Sequence, residues 1–413
     1  MTPRNSNRFI FFRNCWQIAE VKKTVVVILL FCYYHSLFAQ TNPGSYRETC
    51  SLHISLLTCT PGQELYSTFG HSALRVTDSS DGSDIIYNYG TFDFDDPAFY
   101  SKFIRGNLLY FVSLDKFENF LKEYKYEQRG ITEQVLNLTC AEKEKLYSAL
   151  RENAKEENKY YKYDFVYDNC TTRLRDIVFE NATGRVNTKD IRPAGGVTFR
   201  NLIHEYLDKS YQYWSKLGID ILLGSPIDKK ISNSEAMFLP DYLLKGFDSA
   251  AINGKPLVSG KTEILKPTLR PNKRPLLSPF AIFTILFLLI AVLSFFKKAA
   301  RFFSVFDFIF FFFSGVLGIL ILFMWFGTDH PECRNNFNLF WALPTHLLIV
   351  FVALKKLWVK YYFRIIFWIS VAVLLSWFFL PQQMNNALLP VMGLMIVRSF
   401  FLSKQTATET QKH

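Results

Sequence analysis

The sequence lacks several marks of familiar chemistry. It has no paired-cysteine zinc spacing, no phosphate-cradling glycine loop and no Gly-x-Ser-x-Gly elbow. Those absences argue against a zinc-ribbon domain, a P-loop nucleotide enzyme and a serine hydrolase of the elbow type. There is no internal repeat. Asp93, Asp95 and Asp96 lack the ligand spacing of an EF-hand loop and read as loop and cap residues. No cofactor and no metal is implied. Net charge is also missing from the middle of the chain, although the formal total is +11. Residues 1–23 carry five basic groups and one Glu, and residues 271–413 carry 13 Lys/Arg against 4 Asp/Glu. That leaves 29 basic and 31 acidic side chains for residues 24–270. A near-neutral central part disfavours a nucleic-acid role, and the basic excess belongs to membrane flanks.

What the chain has in excess is apolar surface: 49% of its residues are hydrophobic and 42 are Phe. A basic N-terminus ending in Lys22-Lys23 precedes an apolar run from Thr24 to Phe38 and then Ala39, the layout of a signal peptide (or signal anchor) over residues 1–39. After Pro271 come five apolar stretches, at 279–296, 302–326, 337–354, 362–379 and 386–402, each near the roughly 20 residues that span a bilayer as a helix. Lys297, Lys298 and Arg301 follow the first stretch, and Lys355, Lys356, Lys360 and Arg364 follow the third. The positive-inside rule therefore puts residues 40–270 outside the cytoplasm and the C-terminus inside. Asn338 and His346 fall within the third stretch, where polar groups are costly and either bond a neighbouring helix or mark function.

The exported part mixes strand and helix signals. His53–Leu57 alternates as a strand, and Asp81-Gly82 between two strand-like runs predicts a β-hairpin whose first arm opens at His71. A turn centred between residues 79 and 80 sets His71 opposite Asn88. A centre between 80 and 81 sets it opposite Gly90 with Asn88 on the same face, and a half-step slip brings Tyr89 opposite instead. Further on, Asp168-Asn169-Cys170-Thr171-Thr172 opens a helix continued by Leu174, Ile177 and Val178 at helical spacing. A cysteine at a helix N-terminus has its thiolate favoured by the dipole, and the free amides there can stabilise an oxyanion. His71 and Asn88 are candidates for its base and for the group orienting that base. The alternative is a small buried or disulfide-bonded cysteine. Cys50, Cys59, Cys140, Cys170 and Cys333 all lie on the oxidising side, so internal pairing leaves at least one of them a thiol. Residues 140–160 read as a charged surface helix, and residues 186–270 as a helical extension and linker whose Met237–Pro240 packs near the membrane.

A His at the start of a strand, followed about 100 residues later by Asn-Cys opening a helix, resembles circularly permuted papain-like domains of the NlpC and lecithin:retinol acyltransferase groups. Phe69-Gly-His71-Ser-Ala, Tyr126-Glu-Gln-Arg129-Gly-Ile-Thr-Glu-Gln134 and Tyr163-Asp-Phe-Val-Tyr-Asp-Asn-Cys170-Thr-Thr-Arg-Leu-Arg-Asp176 are similar to the Lnb family of Bacteroides-type lipoprotein N-acyltransferases. Trp214-Ser-Lys-Leu-Gly-Ile-Asp220-Ile-Leu-Leu-Gly224 and the multi-span C-terminus share the likeness, which covers about residues 50–404. The resemblance implies an α+β permuted papain-like extracytoplasmic domain at 40–185 and a transmembrane domain of about five helices at 271–413. It implies a location in the bacterial inner membrane, with the N-terminal domain periplasmic and the C-terminus cytoplasmic. It also implies acyl transfer from a phospholipid to the amine of a diacylated lipoprotein, with Cys170 as nucleophile and His71 as base. Related families often carry a second His where Asn88 stands. Arg129, Arg173 and Arg175 receive no role. A cell-wall cysteine peptidase or amidase and a non-catalytic membrane sensor remain the competing readings.

Overall fold

The structure, a computed structural model, describes residues 50–269, 272–351 and 357–404, so the leader expected at 1–39 lies outside the described residues. The chain divides into Met1–Cys50 and Ser51–His413, and every element below belongs to the second unit.

Seven strands form one antiparallel sheet: β1 (Leu52–Cys59), β2 (His71–Asp78), β3 (Ser83–Thr91), β4 (Leu109–Lys116), β5 (Ile131–Leu136), β6 (Tyr160–Lys162) and β10 (Val258–Leu265), in the order β10-β5-β1-β2-β3-β4-β6. Three short strands, β7 (Val186–Asn187), β8 (Ala251–Ile252) and β9 (Lys255–Pro256), form a separate small sheet. β1 lies between β5 and β2 with Ile54, Leu56, Leu57 and Cys59 all inaccessible to solvent. Both of its faces are therefore covered, which explains its nearly unbroken apolar run. The β2–β3 hairpin turns at Gly82, whose φ of +73° is open to glycine without strain. Helices α1 (Phe99–Arg105), α2 (Phe117–Tyr126), α3 (Cys140–Asn153) and α4 (Cys170–Asn181) surround the sheet. Phe120 and Tyr124 of α2 pack on Leu57, Cys59, Ala73, Ile86 and Ile131. α4 packs against β2 and β3.

The segment 186–270 holds the expected helices, α5 (Phe199–Lys209), α6 (Tyr213–Leu222), α7 (Asn233–Ala236) and α8 (Pro240–Ser249). It differs from a purely helical extension in returning to the main sheet through β10. Met237, Phe238 and Leu239 are buried inside the globular part, with Phe238 and Leu239 packed on α5. Their apolar character thus serves an internal core.

Beyond it, α9 (Pro279–Leu293), α10 (Ala300–Phe326), α11 (Thr345–Phe351), α12 (Leu357–Ser376) and α13 (Leu389–Lys404) form the C-terminal helical region. Among the described residues, three helices are long and apolar enough to cross a membrane, at Lys297–Phe326, Trp358–Ser376 and Asn386–Lys404. Pro279–Leu293 is a shorter apolar helix. The third apolar stretch is not one continuous helix: a 3₁₀ turn at Phe337–Phe340 precedes α11. Pro344 has no N–H with which to extend a helix through it. His346 of α11 donates from Nε2 to Trp341 O at 3.1 Å and accepts at Nδ1 from Tyr362 of α12 at 2.6 Å, so it joins two helices. Elsewhere in the bundle, Arg398 of α13 forks onto Asp307 of α10, with both N–O distances 2.7 Å.

The globular and helical parts interlock at the end of α6. A helix C-terminus leaves carbonyls without intrahelical donors, and here side-chain amides of the membrane domain supply them. Asn336 Nδ2 donates to Ile221 O at 2.8 Å, Asn338 Nδ2 to Asp220 O at 3.1 Å and Gln382 Nε2 to Leu223 O at 3.0 Å. Asn338, polar within an apolar stretch, thus belongs to this joint. Gly224 follows directly, its N–H donating to Glu332 O at 2.8 Å. A Cβ there would overlap Arg334 O. Gly224→Ala is therefore expected to pry the joint open at a cost of about 1–3 kcal/mol, read as a lower melting temperature of the detergent-solubilised chain. An unchanged melting temperature would show that the joint yields freely.

Candidate active site

The β2–β3 register places His71. Leu74 pairs with Tyr87 and Asp78 with Ser83, so the turn centres between residues 80 and 81. Of the three registers open to the sequence, this one directs His71 toward Gly90 and keeps Asn88 on the same face. His71 Nε2 meets Asn88 Oδ1 at 2.6 Å. An amide oxygen accepts only, so Nε2 carries the proton and Nδ1 is left as the acceptor. β1 sets Cys59 directly across from His71. Cys59 is buried, and that burial pushes its thiol up to about 12, so it is inert at neutral pH.

Cys170 is the first residue of α4, and its cap accounts for its placement. Asn169 Oδ1 accepts the N–H groups of Thr171 and Thr172 at 2.8 and 2.9 Å. Its Nδ2 donates to Phe165 O at 2.7 Å and to Phe238 O at 2.9 Å. All four hydrogen-bonding positions of the amide are used, and the side chain is buried. This occupancy narrows the expected oxyanion site. The Thr171 and Thr172 amides are taken by the cap, and the first-turn donor that stays open among the described residues is the N–H of Cys170 itself.

The two halves meet. Burial alone would raise the Cys170 thiol, but the neighbouring His71 charge, hydrogen bonds from His71 and Thr171, and the Ser72 backbone outweigh it, so the thiol lies below its usual range. Burial likewise acts to lower the His71 imidazole, but Cys170 beside it and its bond to Asn88 raise it on balance. Opposite shifts of two adjoining groups favour a thiolate–imidazolium pair. Gly90 makes room for it: φ is +92°, and a Cβ would lie 3.4 Å from Cys170 Cβ. The ladder between β3 and β4 shifts register at this point. Such bulges re-aim neighbouring groups.

Cys50 and Cys140 each take part in a disulfide, whereas Cys59, Cys170 and Cys333 are free and buried. Arg173 forks onto Asp168 at 2.6 and 2.8 Å, and Arg175 onto Asp176 at 2.6 and 2.9 Å. Arg129 donates to Thr60 O at 2.7 Å and to Glu127 at 2.8 Å. Each of the three arginines thus has partners within the fold. Sequence reasoning missed Phe238, whose carbonyl helps hold the cap. Only its apolar run was visible, and that run carries no sign of a backbone contact 69 residues away.

Asn169→Asp keeps both cap acceptors but turns a carboxylate oxygen toward two carbonyls and adds negative charge beside the thiolate. The variant is expected to lose about 1–3 kcal/mol of stability and to move the Cys170 titration upward. Iodoacetamide alkylation rates measured against pH read the second effect. A midpoint equal to wild type would remove Asn169 from the electrostatics of the site.

Two family models match the chain: the Lnb N-terminal periplasmic domain over residues 46–205 and the Lnb transmembrane domain over residues 271–410. No curated protein and no solved structure matches. The α+β sheet domain and the apolar helices that follow it correspond to those two matches in order. The chain is therefore a membrane protein of the Lnb family, with a periplasmic N-terminal domain followed by a transmembrane one.

Proposed function

We propose that the chain is a cysteine-dependent lipoprotein N-acyltransferase of the bacterial inner membrane, with its C-terminus in the cytoplasm. The observation that carries this reading is the alignment Cys170–His71–Asn88 at the N-terminus of α4, in a domain locked to membrane helices. Cys170 is the nucleophile, His71 the base and Asn88 the group that orients it. The Cys170 thiolate attacks an ester carbonyl of a phospholipid, and the tetrahedral oxyanion takes the N–H of Cys170. As the carbon–oxygen bond breaks, the His71 imidazolium gives its proton to the departing glyceryl oxygen, leaving a thioester and a lysophospholipid. The α-amine of a diacylated lipoprotein then attacks the thioester. A carbon–nitrogen bond forms, the carbon–sulfur bond breaks, neutral His71 takes the amine proton and the ion pair is restored.

Donor and acceptor are both embedded in one leaflet, and a domain fastened to several membrane helices stays beside them. A wall peptidase needs one anchor at most. The test uses cells lacking their own lipoprotein N-acyltransferase and expressing either wild type or Cys170→Ala. Mass spectrometry of a reporter lipoprotein is expected to find a third, amide-linked acyl chain with wild type alone. Its absence with well-expressed wild type would overturn the proposal.

A further inference from the structure

To react, an acyl ester must leave the leaflet and reach a buried thiol. Helix α1 and the loop before it present an apolar surface that none of the described residues covers: Phe94 is 68% exposed, Tyr100 77% and Phe103 52%. Isolated exposed apolar side chains are ordinary, but a contiguous set marks an interaction surface. These are contiguous. Phe94 lies 5.0 Å from Phe99, and Phe99 lies 5.3 Å from Tyr100 and 6.2 Å from Phe103, centroid to centroid.

Two further observations indicate what covers this surface. First, α1 is fastened to the end of a membrane-spanning helix. The Asp329 N–H donates to Arg105 O at 2.9 Å, and His330 Nε2 donates to Phe103 O at 3.1 Å. Asp329 is three residues beyond Phe326, where α10 ends. Lys162 of β6 reaches the same Asp329 at 3.0 Å. The aromatic face is thus held at the level where the bilayer hydrocarbon gives way to headgroups, the depth favoured by Tyr and other amphipathic rings. Second, the rings continue inward to the thiol. Phe92 lies 4.6 Å from Phe94 and 5.2 Å from Tyr110, and Tyr110 stacks on Tyr163 at 4.2 Å. Tyr163 and Cys170 both border the space above Gly90, at 3.8 and 3.4 Å from a Cβ placed there.

We propose that α1 and the Phe92–Phe94 loop form a lipid-docking surface that dips into the outer leaflet, its ring line guiding a phospholipid acyl chain to Cys170. The occupant is a phospholipid of the bilayer that holds α10. Arg105 and Lys102, the latter paired with Asp96 at 2.7 Å, give the last turn of the same helix the basic character of helices that lie in the interface plane. The guiding role rests on the acyl-transfer reading, whereas the immersion of α1 does not.

The full chain in phosphatidylethanolamine/phosphatidylglycerol nanodiscs tests both. In a Cys170→Ser background, an NBD fluorophore is attached through Tyr100→Cys or, as a reference on the exposed hairpin turn, through Ser80→Cys, and the signal of the labelled parent is subtracted. Dithionite is charged and excluded from hydrocarbon, so the label at position 100 is expected to bleach at least about tenfold more slowly than that at position 80. Equal rates overturn the proposal. In the Cys170-bearing chain, Tyr100→Ser/Phe103→Ser is expected to slow thioester formation from disc phospholipid by about tenfold. Alkylation of Cys170 by iodoacetamide should stay unchanged, which shows the site intact. Unaltered thioester formation overturns the guiding role. Should the parent chain form no thioester while the label at position 100 remains protected, the acyl-transfer reading fails and the immersed surface stands.

Discussion

His71→Gln is expected to lower thioester formation by about a thousandfold or more and to move the Cys170 titration above the ordinary thiol range. Two opposed influences set the sign. In the wild type, burial pushes the thiol up while the adjacent imidazole and its hydrogen bond pull it down, and the pull prevails. Glutamine is of similar size and keeps a hydrogen bond to Asn88 but carries no charge, so the upward push of burial is opposed only by the Thr171 hydroxyl and the Ser72 backbone. The wild-type thiol should therefore react with iodoacetamide at a lower pH than the variant thiol, and the gap should be widest in the neutral range. Rates measured from pH 5 to 10 would show it. Coincident profiles would mean that His71 does not govern the thiol, and the assignment of the base would fall with them.

Arg200→Met is expected to cost about 3–5 kcal/mol of stability. Arg200 is fully buried on α5, with Nη1 2.7 Å from Asp220 Oδ1 and Nε 2.8 Å from Asp228 Oδ1. Its Nη2 also donates to Leu223 O and Gly224 O at 3.0 and 2.9 Å. Methionine fills the volume but removes the guanidinium that two carboxylates and two carbonyls share, leaving His204 Nε2, 2.7 Å from Asp220 Oδ1, as a neighbouring donor. Lysine restores the charge but not the fork, so Arg200→Lys should recover only part of the loss. The pH dependence follows from Asp220. Burial acts to raise its carboxyl, but His204 and Arg200 hold it below the usual carboxylate range. A depressed carboxyl stabilises the fold above its unfolded value, and that stabilisation is lost as pH falls through the folded one. Wild type should therefore lose more on acidification than Arg200→Met, and the difference in melting temperature should narrow below about pH 4. A constant difference would place the Arg200 contribution in packing alone.

The features that local chemistry dictates were the legible ones. Asn169 and the paired threonines announce a capped helix at Cys170, and Asp81-Gly82 announces the hairpin that carries His71. Pairing details were not legible to the same degree. Three registers fit the turn, and only the ladder from Leu74–Tyr87 to Asp78–Ser83 separates them. β10 was missed because its partner β5 lies more than 120 residues earlier in the chain, and as an exposed edge strand it bears polar residues that periodicity reads as linker. Asn338 looked anomalous within an apolar stretch because its partners, carbonyls at the end of α6, lie over 110 residues away. The motif Trp214–Gly224 was recognisable as a pattern, yet its physical purpose, a helix end received by the membrane domain, is visible only once both partners are in place.

β10 also bears on the order in which this protein matures. The strand ends at Leu265, and α9 begins at Pro279. During synthesis the outer edge of the sheet stays open until almost all the periplasmic segment has emerged, and long-range pairings of this kind form late and slowly. By then the first apolar helix is next to leave the ribosome. Completion of the sheet and entry into the lipid therefore fall close together in time, and an export arrest placed before residue 258 should leave β5 as an unpaired edge exposed to aggregation and proteolysis.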